Sequence, residues 1–387
     1  MGMRTTRRVL LRGGAGVSLA GLAGCSGDDG GTPSTPPTSE PPAPSASPTP
    51  PVPTVSGTLP GTAAPAPNPQ VAGTVAEGLA VPWGIVFLPD VSALVGERDT
   101  GRLLRVSDGR ADEIGTLEVR SRIDEGGETG LLGLALHPQF ESNRLLYAYL
   151  STDADNRIVR MTVDGRLGEP EPIVTGIGTS THHNGGGLVF GPDGLLYAAT
   201  GDAEDAASAQ DTGSVDGKVL RMTDAGTAPG DNPFGNLTWS YGHRNVEGIT
   251  FDDQGRLWAA EFGDKGADEL NLVRPGKNYG WPDVEGSDGR GGYADPLAEW
   301  PVDQCSPSGV AISAGRAWLG ALQGECVWSV VLDGPDAGTA QQHFAGDYGR
   351  IRSVVLAPDG SLWVTTSNRD GRVDPRPGDD RLLRVTL

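Results

Sequence analysis

181-THHNGGGLVFGPDGLLYAATGD-202 reads as a β-hairpin, because two apolar runs, LVF and LLYAAT, are joined by the turn Gly191-Pro192-Asp193-Gly194. His183 precedes the first strand and Asp202 leaves the second, so both lie at one end of the hairpin. An imidazole and a carboxylate so placed can form a base and its orienting partner.

The hairpin recurs at 81-VPWGIVFLPDVSALVGERDTG, 131-LLGLALHPQFESNRLLYAYLS, 247-EGITFDDQGRLWAAEFGD, 308-SGVAISAGRAWLGAL and 352-RSVVLAPDGSLWVTTSN, making six copies. Their landmarks fall at Gly84, Gly133, Gly187, Gly248, Gly309 and Ser353, 44 to 61 residues apart. That spacing suits four-stranded blades with variable loops and predicts an all-β, six-bladed β-propeller. Each inner strand delivers its first residues to one face of the central channel, so residues far apart in sequence can meet there.

Composition agrees with a large all-β domain, since Gly 59 and Pro 31 in 387 residues match dense turns plus a low-complexity segment. No sustained helical period is present. In the first 70 residues Arg4, Arg7, Arg8 and Arg12 face Asp28, Asp29 and Glu40, a net +1; of the total −20, the body therefore carries −21. So acidic a body argues against nucleic acid, although a local arginine cluster would still hold an anion.

The N-terminus reads as an export signal. Thr6-Arg7-Arg8-Val9-Leu10-Leu11-Arg12 resembles a twin-arginine signal, the run Ala15 to Ala23 is mildly apolar, and Leu22-Ala23-Gly24-Cys25 resembles a lipobox. The alternative is an ordinary secretory peptide with an incidental cysteine. On the lipoprotein reading, residues 1–25 are the signal with Cys25 lipidated, and residues 26–70, rich in Pro, Ser and Thr, form a disordered stalk. The propeller, residues 71–387, is then anchored by lipid to the outer face of the cell membrane. Cys305 and Cys326 remain as an even pair in an oxidising compartment, which favours a disulfide; two buried thiols are the alternative.

Further channel candidates precede other repeat strands. 241-YGHRNVEGITF places Arg244 and Asn245 where His183 stands one blade earlier, and 349-GRIRSVVLAPDG places Arg350 and Arg352 on one side of the sixth. Three guanidiniums at blade mouths crowd together favourably only when an anionic ligand or carboxylates neutralise them. Ordinary ion pairs with the many acids are the bland reading.

HHNGGGLVFGPDGLLYAATGD, GKVLRM, YGHRNVEGITFDDQGRLWAAEFGDKGADELNLVRPGKNYGWP and RIRSVVLAPDG together resemble the soluble PQQ-dependent glucose and aldose sugar dehydrogenase family over about residues 75 to 387. The resemblance implies a six-bladed propeller holding pyrroloquinoline quinone (PQQ) and Ca²⁺ in the channel mouth and oxidising the C1 hydroxyl of aldoses to lactones. It makes His183 the general base, with hydride passing to the quinone, and Asp202 its orienting partner. Arg244 and Asn245 would bind the quinone oxygens, and Arg350 and Arg352 the cofactor carboxylates. The backbone carbonyls of Gly263 and Asp264 would hold the bridging calcium, while Glu269 and Tyr279 resemble a second, structural calcium site.

Two positions depart from the family pattern. Gln323 stands where a lysine usually faces the cofactor, and Glu128 where a glutamine is usual, so each is expected to weaken PQQ binding unless Glu128 pairs with an arginine or a cation. A non-enzymatic binding propeller without PQQ is the alternative class, since fold alone licenses no chemistry. A metal-dependent lactonase would expect carboxylates converging on one metal, whereas the channel candidates are chiefly His and Arg. The external electron acceptor is expected to be a membrane quinone or small carrier, and the loops 203-AEDAASAQDTGS and 283-DVEGSDGRGGYADP to set the substrate range.

Overall fold

The computed structural model describes residues 67–287, 289 and 291–387; the signal, Cys25 and the stalk up to residue 66 lie outside them. Among the described residues the hairpins extend into six four-stranded antiparallel sheets. The third hairpin pairs Leu188 with Ala198 and Phe190 with Leu196, and Gly194 closes its turn with a left-handed φ of 77° and an N–H bonded to the Gly191 carbonyl at 2.9 Å.

The inner strands are Pro82–Phe87, Leu131–Leu136, Leu188–Phe190, Asn245–Phe251, Pro307–Ser313 and Ile351–Leu356. Gly84, Gly133, Gly187, Gly248, Gly309 and Ser353 together line one central cavity of about 90 Å³. Close approach explains these landmarks. A Cβ on Gly133 would fall onto the Gly186 carbonyl oxygen of the next blade, and one on Gly248 onto that of Ser308. At Ser353 the side chain is used instead, its hydroxyl donating to the Trp83 carbonyl and joining the sixth blade to the first.

Apolar clusters fill the space between blades, so an inner strand such as Leu131–Leu136 is buried on both faces. Leu132, Tyr147 and Tyr149 of the second blade pack with Leu188, Leu196 and Leu220 of the third. Each such side chain contributes roughly 1.5–3 kcal/mol by leaving water. The circle is closed by the strand Gln70–Ala76, which pairs with Leu382–Thr386 as the outermost strand of the sixth blade.

The expected Cys305–Cys326 disulfide is not formed. Both residues are buried free thiols in the cluster that joins the fourth and fifth blades, beside Trp258, Val310 and Leu319. Burial pushes Cys326 up to about 11 and Cys305 well above the ordinary thiol value. Thiols kept neutral in this way pack as small apolar side chains.

Candidate active site

The loop ahead of the third inner strand carries His183 in a left-handed conformation, φ 56°, which is uncommon for a residue with a side chain. Neighbouring residues impose it. Asn184 accepts from Asn156 Nδ2 at 3.0 Å and donates to the Ser180 carbonyl at 3.0 Å, while the buried Tyr149 hydroxyl donates to the Asn184 carbonyl at 2.9 Å. Gly201 lies so close to the His183 carbonyl that no Cβ would fit there. The glycines of HHNGGG and ATGD thus let the two ends of the hairpin meet.

That meeting joins His183 Nδ1 to Asp202 Oδ1 at 2.8 Å. The Asp202 side chain is 1% exposed; its Oδ1 also accepts the Glu204 backbone N–H at 2.9 Å and its Oδ2 the Trp281 indole N–H at 2.8 Å. Those two groups can only donate, so the carboxylate accepts throughout and His183 Nδ1 carries its proton. Nε2 is then the basic nitrogen, and it has no protein partner among the described residues. His182, by contrast, turns to Glu204 at 3.3 Å.

His183 lines a cavity of about 210 Å³ with Glu128, Arg244, Gln323, Arg350 and Arg352, so the structure brings these sequence candidates together. Arg244 lies over the Trp281 ring, 5.3 Å from its centroid, and reaches Asp264 Oδ1 at 3.3 Å. Its Nε, and Nδ2 of the adjacent Asn245, are buried polar atoms without a partner among the described residues. Asn245 is held by its other end, Oδ1 accepting the Gly185 N–H at 2.9 Å.

Arg350 and Arg352 make the ion pairs that their burial requires. Arg350 Nε bonds Asp370 Oδ2 at 2.9 Å; Arg352 Nη1 bonds Glu247 Oε2 at 2.9 Å, and its Nη2 lies 3.8 Å from Asp370. Burial pushes Asp370 up, but Arg350 and Arg352 outweigh it and hold the carboxyl below its ordinary value. For Glu247 burial prevails over Arg352 and the carboxyl is raised. Glu128 pairs with Arg372, Oε1 to Nη2 at 3.0 Å. Gln323 contributes an uncharged side chain to the lining.

Gly263 and Asp264 lie in the turn after the strand Leu257–Phe262, where one oxygen of Glu285 accepts the N–H groups of Asp264 at 2.8 Å and Gly266 at 2.7 Å. The carbonyls of Gly263 and Asp264 accept no hydrogen bond among the described residues. Glu269 and Tyr279 lie apart from the cavity, in a buried polar chain behind Arg244. Tyr279 stacks on His243 at 4.5 Å, His243 Nδ1 meets Glu261 Oε2 at 2.8 Å, and Asn271 Nδ2 joins Glu261 at 3.1 Å to Glu269 at 2.8 Å. The Tyr279 hydroxyl is already engaged by the Leu272 carbonyl and the Arg274 N–H. Burial and the neighbouring Glu261 push Glu269 up to about 8.

Sequence reasoning missed Asp370, Glu247, Arg372 and Trp281. A signal existed for the first, because Asp202, Asp264 and Asp370 each follow the second strand of their hairpin. Trp281 stood inside the quoted NYGWP segment without a role.

The channel mouth thus sets a carboxylate-oriented imidazole beside buried guanidiniums, one of them with a spare donor, an arrangement that can hold an anionic ligand next to a base. The pattern defining the Glucose / Sorbosone dehydrogenase family matches residues 79–375, and the chain belongs to that family. It is similar to the PQQ-bound form of aldose sugar dehydrogenase from Streptomyces coelicolor, with 45% identity and a TM-score of 0.79, covering 82% of this chain and 97% of that one. It is also 32% identical to aldose sugar dehydrogenase YliI of Escherichia coli over 76% of this chain and 90% of the relative. Quinoprotein glucose dehydrogenase B of Acinetobacter calcoaceticus is 31% identical over 60% of this chain and 58% of its own length.

Proposed function

We propose that this protein oxidises the C1 hydroxyl of aldose sugars to lactones with PQQ and Ca²⁺, His183 acting as the base. The observation that carries this reading is the coincidence, in one mouth, of a free His183 Nε2 with Arg244, whose Nε, like Nδ2 of the buried Asn245 next to it, is a donor without a partner among the described residues. Buried donors without partners are costly and point to a ligand that accepts from them. A binding module needs no base with an orienting acid, which disfavours the non-enzymatic alternative.

The residues fit both groups. The two orphaned donors suit the oxygens of a quinone, and Arg350 and Arg352 suit carboxylates. The Gly263 and Asp264 carbonyls, without donors of their own, suit a hard cation. When bound, PQQ supplies the two-electron acceptor for a hydride from the sugar carbon.

His183 Nε2 takes the hydroxyl proton, and the resulting imidazolium keeps its Nδ1–H on Asp202, which stabilises the charge. Trp281 holds the second oxygen of Asp202, so the carboxylate cannot rotate away as the charge develops. Arg244, whose guanidinium lies over the same indole, lines the cavity. Electrons leave to a membrane quinone or small carrier, and a lipid on Cys25 keeps the enzyme at the outer face of the membrane.

The test is reconstitution. Apoprotein given PQQ and Ca²⁺ is expected to gain a bound-quinone absorbance and to reduce an artificial dye with aldoses, and chelation before reconstitution to abolish both. No PQQ binding at micromolar concentration would return the protein to the binding-propeller class. For the anchor, Cys25→Ser is expected to move the folded protein out of the membrane fraction.

A further inference from the structure

Four arginines, Arg244, Arg350, Arg352 and Arg372, line the channel mouth, and three of them converge on one carboxylate. Asp370 Oδ2 pairs with Arg350 at 2.9 Å and lies 3.8 Å from Arg352, while Asp370 Oδ1 accepts the backbone N–H of Arg372 at 3.1 Å. The side chains of Arg350 and Arg352 are 7% and 2% exposed, that of Arg372 39%. Arg372 is thus anchored by its backbone with the other two but has room to move its guanidinium.

That guanidinium donates to Glu128 Oε1 at 3.0 Å and to the Gly126 carbonyl at 3.2 Å. Glu128 is itself fixed to the loop of the base, accepting the His183 N–H on Oε2 at 3.3 Å and donating its own N–H to the Thr181 carbonyl at 2.9 Å. The pair therefore joins the sixth blade to the segment entering the second, which is bonded in turn to the His183 loop of the third.

We propose that Arg372 is a further arginine of the anion site, kept in place by Glu128 and delivered to a carboxylate of a polycarboxylate quinone. This rests on the proposed function. Arg350 and Arg352, which face the cofactor carboxylates, have their charge balanced by Asp370 and Glu247, and Gln323 brings none, so net positive charge for a polyanion comes from another residue of the lining. Partly exposed ion pairs contribute little net stability, so Arg372 exchanges one carboxylate for another at small cost. Its planar fork can take the new carboxylate with two parallel bonds. Glu128, once released, keeps the His183 N–H as a partner.

The experiment titrates apoprotein with PQQ in calcium buffer and reads binding by tryptophan quenching and equilibrium dialysis, without turnover. Arg372→Gln is expected to bind about tenfold more weakly or worse, with Arg372→Lys recovering part of the loss. Its affinity is also expected to fall less steeply with added salt than that of the wild type. Glu128→Gln is expected to bind more tightly. Wild-type affinity in a folded Arg372→Gln protein overturns the inference, and so does weaker binding by Glu128→Gln. If the wild type itself binds no PQQ, the proposed function falls and takes this inference with it; unchanged binding on loss of Arg372 removes this inference alone.

Discussion

Asp202 accepts on both oxygens at once, from His183 Nδ1 at 2.8 Å and from the Trp281 indole at 2.8 Å, which leaves His183 Nε2 as the basic atom facing the cavity. A carboxylate held from two sides orients its imidazole in one tautomer.

Replacing His183 by Ala is therefore expected to lower kcat by on the order of 10²–10⁴, the usual worth of a positioned base, with PQQ affinity largely retained. Asp202→Asn is expected to cost less, because the base itself remains, although the amide NH2 must then face a donor, either the Trp281 indole or His183 and Glu204, and so loosens the tautomer. Steady-state kinetics at saturating PQQ and sugar decide it. Near wild-type turnover in His183→Ala would move the role to His182 or another base.

The ring of small residues makes a stability prediction. Gly133→Ala drives a methyl into the Gly186 carbonyl oxygen of the neighbouring blade, which is backbone and cannot swing away. Ser353→Ala only removes a hydrogen bond to Trp83. Urea unfolding is expected to show a loss of at least about 3 kcal/mol for the first, at the upper end of overpacking costs, and about 1 kcal/mol for the second. Equal losses would mean that the close approach at Gly133 does not govern the packing.

These landmarks were legible in the sequence because close approach admits almost no residue but glycine, and the turn Gly191-Pro192-Asp193-Gly194 between two apolar runs placed His183 and Asp202 at one end of the hairpin. Other features were not legible. The closing strand Gln70–Ala76 has little apolar alternation, and its partner Leu382–Thr386 lies at the opposite end of the propeller sequence. Glu247 reads as one more residue of the repeat, and only the fold brings Arg352 within 2.9 Å of it. The disulfide was misjudged because an even cysteine count says nothing about apolar surroundings. Arg350 and Arg352 line the mouth cavity, but their ion pairs with Asp370 and Glu247 come from residues read only as strand or turn.

The thiols offer a direct measurement. With Cys326 pushed up to about 11 by burial, alkylation of the folded protein at pH 7 is expected to leave Cys305 and Cys326 unmodified, and alkylation after unfolding without reductant to modify both. Peptide mapping reads the outcome. A peptide pair linked through these two cysteines would contradict the structure.

Lys218 is buried with its ammonium on the carbonyls of Ser208 at 2.8 Å, Ala209 at 3.0 Å and Asp216 at 2.6 Å. It thereby ties down the loop that begins after Asp202. Burial lowers its pKa from 10.5 to about 8, with Asp216 and Asp211 resisting. Between those values the unfolded chain holds the proton that the folded chain has lost, so this residue makes stability rise with pH from about 8 to 10.5. Lys218→Met is expected to flatten that rise and, by stranding carbonyls, to cost roughly 1–3 kcal/mol. Urea titrations at pH 7.5 and 10 measure both effects; an undiminished rise in the variant would assign it to other groups.

Asp370 gives the sharpest test of the arginine cluster, because it neutralises Arg350, approaches Arg352 and holds the backbone of Arg372. Its folded pKa lies below the ordinary value, so its contribution is complete above the unfolded carboxyl pKa and is lost as pH falls through the lowered one. Asp370→Asn imposes the loss at neutral pH and leaves two buried guanidiniums short of a counter-charge. Breaking a buried pair by removing one partner costs about 3–5 kcal/mol, so a marked drop in Tm is expected. An anionic cofactor should replace part of the missing charge, and PQQ with Ca²⁺ is therefore expected to raise the Tm of Asp370→Asn by more than that of the wild type. A variant that melts like the wild type would show that Glu247 alone balances the cluster, and an equal PQQ-induced shift in both proteins would place the cofactor away from Arg350 and Arg352.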